Sequence, residues 1–201
     1  MRTSLVVIAA LLAGCVKNPN IEELPAVAGT AAKEFYPLAV GNTWSYHVEM
    51  LGQKQEIEVK VLKEDNGVFE DSTGNQLFAD AWGVRDQKRY LLRDPVQTGT
   101  EWSNVVSVSS VEHYRIVSAG VSCDSPAGQF EGCAVVESSN RIEEGKTLFN
   151  ELTFAPKVGL IRVSTLLENH GNKLPQSTLV LTRYQVKGAP AGPAAPAAPA
   201  K

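Results

Sequence analysis

Apolar and polar residues alternate along most of this chain. Trp44, Tyr46, Val48 and Met50 alternate with Thr43, Ser45, His47 and Glu49, and Ile57, Val59 and Val61 alternate with Glu56, Glu58 and Lys60. Successive side chains of a strand point to opposite faces, so a period of two marks strands with one apolar and one wet face. Gly52 between the two runs predicts an antiparallel hairpin, and Asp65-Asn66-Gly67 predicts the turn that follows. Further strands are predicted at 67–70, 75–79, 82–85, 88–92, 104–109, 111–118, 129–138, 147–154, 158–167 and 177–186. Turn residues separate most of them, as in Ser72-Thr73-Gly74-Asn75, Glu143-Glu144-Gly145 and Asn169-His170-Gly171-Asn172. Helical periodicity is weak everywhere, with a short helix around Ala31 to Phe35 the best candidate. The expected fold is all-β: an antiparallel meander forming a sandwich, a barrel or a strongly curved sheet. Trp44, Tyr46, Trp82, Phe130 and Phe154 are the expected lining of its concave side, which is either filled by them or left as an apolar pocket.

One pattern recurs. Pro37-Leu38-x-x-Gly41-x-x-Trp44-Ser45 returns as Pro95-Val96-x-x-Gly99-x-x-Trp102-Ser103, and Gly67-Val68-Phe69-Glu70 returns as Gly128-Gln129-Phe130-Glu131. Matches in the same order suggest two related β-rich halves. A plainer reading is a recurring entry turn, in which proline sets the bend, glycine lets the backbone close and tryptophan pins the next strand.

The N-terminus has a different character. Met1-Arg2 is followed by an apolar run from Leu5 to Leu12 and then by Leu12-Ala13-Gly14-Cys15. The run is too short for a hydrocarbon core of ~30 Å, which takes ~20 residues, and reads as a secretory signal. Leu-Ala-Gly-Cys resembles the lipobox of bacterial lipoproteins. The resemblance implies cleavage before Cys15, a diacylglyceryl group on its thiol and an acyl chain such as palmitate on its amine. It also implies membrane attachment through the covalent lipid, since stable anchoring takes two or more chains. Val16 stands where an aspartate often marks inner-membrane retention in that family, which favours the outer membrane of a two-membrane bacterium. The Gly41-Asn42-Thr43-Trp44-Ser45-Tyr46 start and the segment Phe154 to Ile161 are also similar to exported β-rich bacterial proteins of no assigned function.

The domain organisation expected is a signal peptide at 1–14, a lipidated tether at 15–34, a β-rich domain at 35–187 and an Ala/Pro tail at 188–201. The β-rich part is long enough for a core without metal or a dense disulfide framework. A net charge of −3 over 201 residues, with cations scattered among acids, argues against nucleic-acid binding. With Cys15 assigned to lipid, Cys123 and Cys133 remain. An oxidising compartment predicts a disulfide between them, and the turn residues Asp124 to Gly128 would bring them alongside. Two free thiols or a redox pair are the alternatives, although the spacing is not Cys-x-x-Cys.

Candidate chemistry is sparse. His47, His113 and His170 lie too far apart in sequence for metal-ligand spacing. The serines lack a Gly-x-Ser-x-Gly elbow, and no glycine-rich loop opens a helix. Glu64-Asp65, Glu70-Asp71 and Glu143-Glu144 read as turn and surface acids, without the spacing of a calcium loop. Arg85, Lys88, Arg89 and Arg93 surround Tyr90 as a basic patch suited to anionic headgroups or an acidic partner. The expectation is a membrane-anchored envelope lipoprotein, outer-membrane attached and facing the periplasm or the surface. It is not an enzyme, needs no cofactor or metal, and acts as a binding or scaffold module for an envelope protein or cell-wall partner. A carrier of lipid or another apolar ligand is the alternative, similar in principle to lipoprotein-localisation factors but without their covering helices. An envelope hydrolase ranks third. A closed apolar cavity would favour the carrier, and a Ser–His contact in a cleft the hydrolase.

Overall fold

The computed structural model describes residues 31–189 and Gly192. One short helix, α1 (Ala32–Phe35), precedes twelve strands. The first six are β1 (Thr43–Met50), β2 (Gln53–Asp65), β3 (Val68–Asp71), β4 (Gln76–Asp80), β5 (Gly83–Arg85) and β6 (Tyr90–Arg93). The second six are β7 (Glu101–Ser107), β8 (Ser110–Ser125), β9 (Gly128–Glu143), β10 (Lys146–Ala155), β11 (Gly159–Asn169) and β12 (Asn172–Gln185). All join one antiparallel sheet in the order β6-β5-β4-β3-β2-β1-β12-β11-β10-β9-β8-β7, curled into a nearly closed barrel. The all-β antiparallel meander expected from the alternation is the observed fold, in its barrel form.

The hairpins follow from local chemistry. Leu51-Gly52, Asn66-Gly67 and His170-Gly171 all have positive φ at both turn residues, between 48° and 82°. Turns of that hand match the right-handed twist of the flanking strands. Between β3 and β4 the buried Asp71 organises the turn, its carboxylate accepting from the Thr73 amide, the Thr73 hydroxyl and the Asn75 amide. The acids flanking it have the turn and surface roles expected, with Glu64 accepting from the Gly67 amide and Glu70 paired to Lys63.

The recurring motif is two equivalent entry turns. Gly41 (φ 93°) donates to the Val61 carbonyl at 2.9 Å, and Gly99 (φ 94°) donates to the Ile116 carbonyl at 2.8 Å. Val61 donates back to Asn42, and Ile116 donates back to Thr100. Each turn delivers a buried tryptophan, Trp44 into β1 and Trp102 into β7. The second recurring motif begins β3 in one half and β9 in the other, the third strand of each. Replacing β1–β6 by β7–β12 leaves the order of strands around the barrel unchanged.

The core lies in two clusters. One gathers Val84, Leu92, Trp102, Tyr114, Ile116, Val136 and Phe154 around α1, whose Ala32 and Phe35 are buried in it. The other gathers Trp44, Tyr46, Val61, Ile161 and Leu181. The Tyr36 ring spans them, 5.9 Å from Trp44 and 6.3 Å from Phe154. Burial, with a smaller contribution from Asp71, pushes the Tyr36 hydroxyl pKa up. Trp44, Tyr46 and Phe154 therefore line the interior as expected, and Phe130 is half-buried. Trp82 does not line it. It sits in the turn between β4 and β5 and is 62% exposed.

Candidate functional site

The two edge strands of the barrel, β6 and β7, meet in a seam. No backbone ladder joins these two edge strands. Side chains do so instead. The Trp102 indole N–H and the Asn104 Nδ2 both donate to the Tyr90 carbonyl, at 2.9 and 3.1 Å. Next to them Arg89 makes a two-pronged contact with Glu112 at 2.7 and 2.9 Å, and the Tyr114 hydroxyl donates to the same carboxylate at 2.9 Å. Burial would raise the Glu112 pKa, but the hydrogen bonds from Arg89 and Tyr114 outweigh it and hold the carboxyl below its ordinary range. Burial and the adjoining carboxylate push the Tyr114 hydroxyl up.

On the outer face of the second half lie two adjoining open grooves. One of 490 Å³ is bounded by Ser103, His113, Arg115, Glu137 and Phe149. The other, of 420 Å³, shares Glu137 and Phe149 and continues to Glu151, Leu166 and Lys173. Register explains the grouping. Ser103 faces His113, His113 faces Ser139 and Ser139 faces Phe149 across β7 to β10. A parallel row runs Glu101, Arg115, Glu137 and Glu151. The result is an apolar strip at Phe149 and Leu166, edged by charge. Ser103 Oγ and His113 Nδ1 lie 2.9 Å apart, a contact the spacing in sequence did not reveal. Both side chains are on the exposed strand face, and among the described residues no carboxylate hydrogen-bonds the imidazole.

On the outer face of the first half, the expected basic patch takes a specific form. The Arg85 guanidinium lies 4.6 Å from the Phe78 ring and 5.9 Å from the Tyr90 ring. The Arg93 guanidinium lies 4.9 Å from Tyr90 and 5.6 Å from Trp82. Aromatic rings and guanidinium groups thus alternate in the sequence Phe78, Arg85, Tyr90, Arg93, Trp82. Asp80 bonds both the Tyr90 hydroxyl and Arg85. Desolvation acts to raise the Asp80 pKa, but hydrogen bonds from the Trp82 amide, Tyr90 and Arg85 bring it below its ordinary value. Arg89 is not part of the patch, because Glu112 draws it to the seam.

Of the residues singled out in sequence, Cys123 and Cys133 form a disulfide with Cα atoms 6.1 Å apart. Cys15 lies outside the described residues. His47 is half-buried, and His113 and His170 are exposed. No cluster of three or more His, Cys, Asp or Glu side chains suited to a metal occurs among the described residues.

No family model and no curated protein matches this chain. Among solved structures, a "putative lipoprotein" from Parabacteroides distasonis ATCC 8503 matches with a TM-score of 0.41 at 15% identity, covering 78% of this chain and 100% of that one. Identity and TM-score are too low for that protein's properties to transfer.

Proposed function

We propose that this chain is exported, acylated on Cys15 and held in the bacterial envelope, where its barrel serves as a non-enzymatic binding or scaffold module. The observation that carries the reading is the lipobox-like Leu12-Ala13-Gly14-Cys15. The Cys123–Cys133 disulfide supports it, because such bonds persist in oxidising compartments outside the cytosol. Val16 after the cysteine favours the outer membrane. The grooved face around Phe149 is the surface on which an envelope protein or cell-wall partner would lie. The Ser103–His113 contact in the first groove is the feature that would favour a hydrolase. Among the described residues, however, no carboxylate orients the imidazole, so the pair falls short of the three-group arrangement that activates a serine and the binding reading is preferred.

Mass analysis of the full-length product from the envelope fraction tests the reading. The expected result is loss of residues 1–14 and acyl mass on Cys15, both abolished in Cys15→Ala. An uncut product with a bare cysteine overturns it. Native mass spectrometry of the same protein separates the module from a carrier, for which a second, non-covalent lipid mass is expected.

A further inference from the structure

We propose that the Trp82–Arg93–Tyr90–Arg85 ladder is a membrane-contact site, which lays this edge of the barrel against anionic phospholipid headgroups. The inference rests on the anchored reading above and adds an orientation to it.

The chain's route into the fold points to this edge. The Ala32 amide donates to Asp94 Oδ1 at 2.7 Å, and the Asp94 amide donates to the Trp82 carbonyl at 3.0 Å. The segment arriving from Cys15 therefore enters the barrel beside Trp82 and Arg93. Only residues 16–31 separate the lipidated position from that point, a reach of ~55 Å even when fully extended. Whatever the orientation of the domain, the entry edge therefore stays within that reach of the bilayer.

The chemistry of the edge suits a headgroup layer. Trp82 is 62% exposed, whereas Trp44 and Trp102 are 2% and 7% exposed. Indole rings favour the membrane–water interface, where an apolar body and a polar N–H are both accommodated. Arg93 lies between Trp82 and Tyr90 and forms no ion pair among the described residues. Its planar donor fork matches phosphate oxygens. Asp80 is paired with Arg85 and bonded to Tyr90, and Asp94 is bonded to Ala32, so Arg93 is the cation of this edge that has no acidic partner among the described residues. With a net charge of −3 over the whole chain, an anionic surface repels most orientations and selects one that leads with cations.

Because the other two tryptophans are buried, Trp82 is its own reporter. The acylated protein is placed in phosphatidylglycerol-containing vesicles with brominated acyl chains, and its fluorescence is followed. Quenching and a blue shift are expected, absent in Trp82→Phe and much reduced in all-phosphatidylcholine vesicles. An unquenched Trp82 in protein of confirmed acyl mass overturns the proposal and leaves the anchor intact. A second arm does not depend on acylation. The chain from residue 15 carrying Cys15→Ala is sedimented with the same vesicles at low ionic strength. Binding that weakens ~5-fold in Arg93→Gln, and again in Arg85→Gln, is expected from the attraction of anionic membranes for each basic group. Equal binding by the variants, at unchanged thermal stability, or no binding at all, overturns it and shows that the ladder serves a protein partner or none.

Discussion

Asn104 treats the main chain of Tyr90 as a neighbouring strand would. Its Oδ1 accepts from the Tyr90 N–H at 3.0 Å, and its Nδ2 donates to the Tyr90 carbonyl at 3.1 Å. One carboxamide therefore stands in for a peptide group at the point where the backbone ladder stops. Asn104 is 5% exposed, so water is a poor substitute. Asn104→Leu keeps the branched outline of the side chain, with somewhat more bulk, and removes both bonds. The Tyr90 carbonyl retains Trp102, while the Tyr90 N–H is left without a partner. The expected cost is about 2 to 4 kcal/mol, from two lost bonds and one orphaned donor. Urea unfolding measures it, and amide exchange at Tyr90 and Leu91 should accelerate. A loss under about 0.5 kcal/mol would mean that packing alone closes the seam.

The seam also shows what the sequence could and could not convey. Alternation located every strand, because each has one face on the core and one in water. Boundaries were less legible. β8 and β9 each run to 16 residues, well past the alternating stretch. Bulges between Ile116/Ser118, Ala119/Val121 and Val121/Cys123 break the period there without breaking the pairing. The repeated Gly-x-x-Trp marked two real and equivalent turns. Nothing in the motif told that Tyr46, two residues past the first tryptophan, faces a paired strand residue while its counterpart Asn104 faces an edge. The exposure of Trp82 was hidden for a related reason. The sequence places Trp82 at the start of a strand over 82–85, where a tryptophan is expected to pack inward, but β5 begins at Gly83 and leaves Trp82 in the turn, stacked on Arg93. The Ser103–His113 contact was unreadable because it is made across strands, by register.

Glu112 gives acid sensitivity to the same seam. Its pKa lies below the ordinary value of 4.5, because Arg89 and Tyr114 favour the charged form more than burial opposes it. A carboxyl depressed in the fold stabilises fully above its unfolded pKa. That contribution fades as pH falls through the folded value, where both states are protonated. Glu112→Gln should therefore be less stable than the wild type at pH 7, by about 1 to 2 kcal/mol for a charge-assisted pair that is partly screened by solvent. The gap should narrow below pH 4.5 and close in stronger acid. Denaturant unfolding of both proteins at pH 7 and near pH 3 checks the sign. A gap that widened in acid would place the proton on the wrong state.

Ser103 and His113 share a hydrogen bond at an exposed site, and such contacts contribute little to stability. Ser103→Ala is expected to unfold within about 0.5 kcal/mol of the wild type. A serine-directed fluorophosphonate should leave Ser103 unlabelled, because the imidazole that contacts it lacks an orienting carboxylate among the described residues. Stoichiometric labelling that disappears in both Ser103→Ala and His113→Ala would revive the hydrolase.

The disulfide closes a loop with a sequence separation of 10 between Cys123 and Cys133. Chain-entropy reasoning assigns such a loop ~2.5 to 3 kcal/mol, gained by restricting the unfolded chain. Reduced wild-type protein and Cys123→Ala/Cys133→Ala should lose similar amounts of stability in urea, because the cross-link is absent from both. Alanine adds a small packing loss at Cys133, which is fully buried. A markedly smaller loss in both would mean that the β8–β9 hairpin already persists in the unfolded ensemble and leaves the cross-link little entropy to remove. A loss in the variant alone would instead assign the effect to the space vacated beside Phe130, whose carbonyl faces the Cys133 sulfur at 3.7 Å.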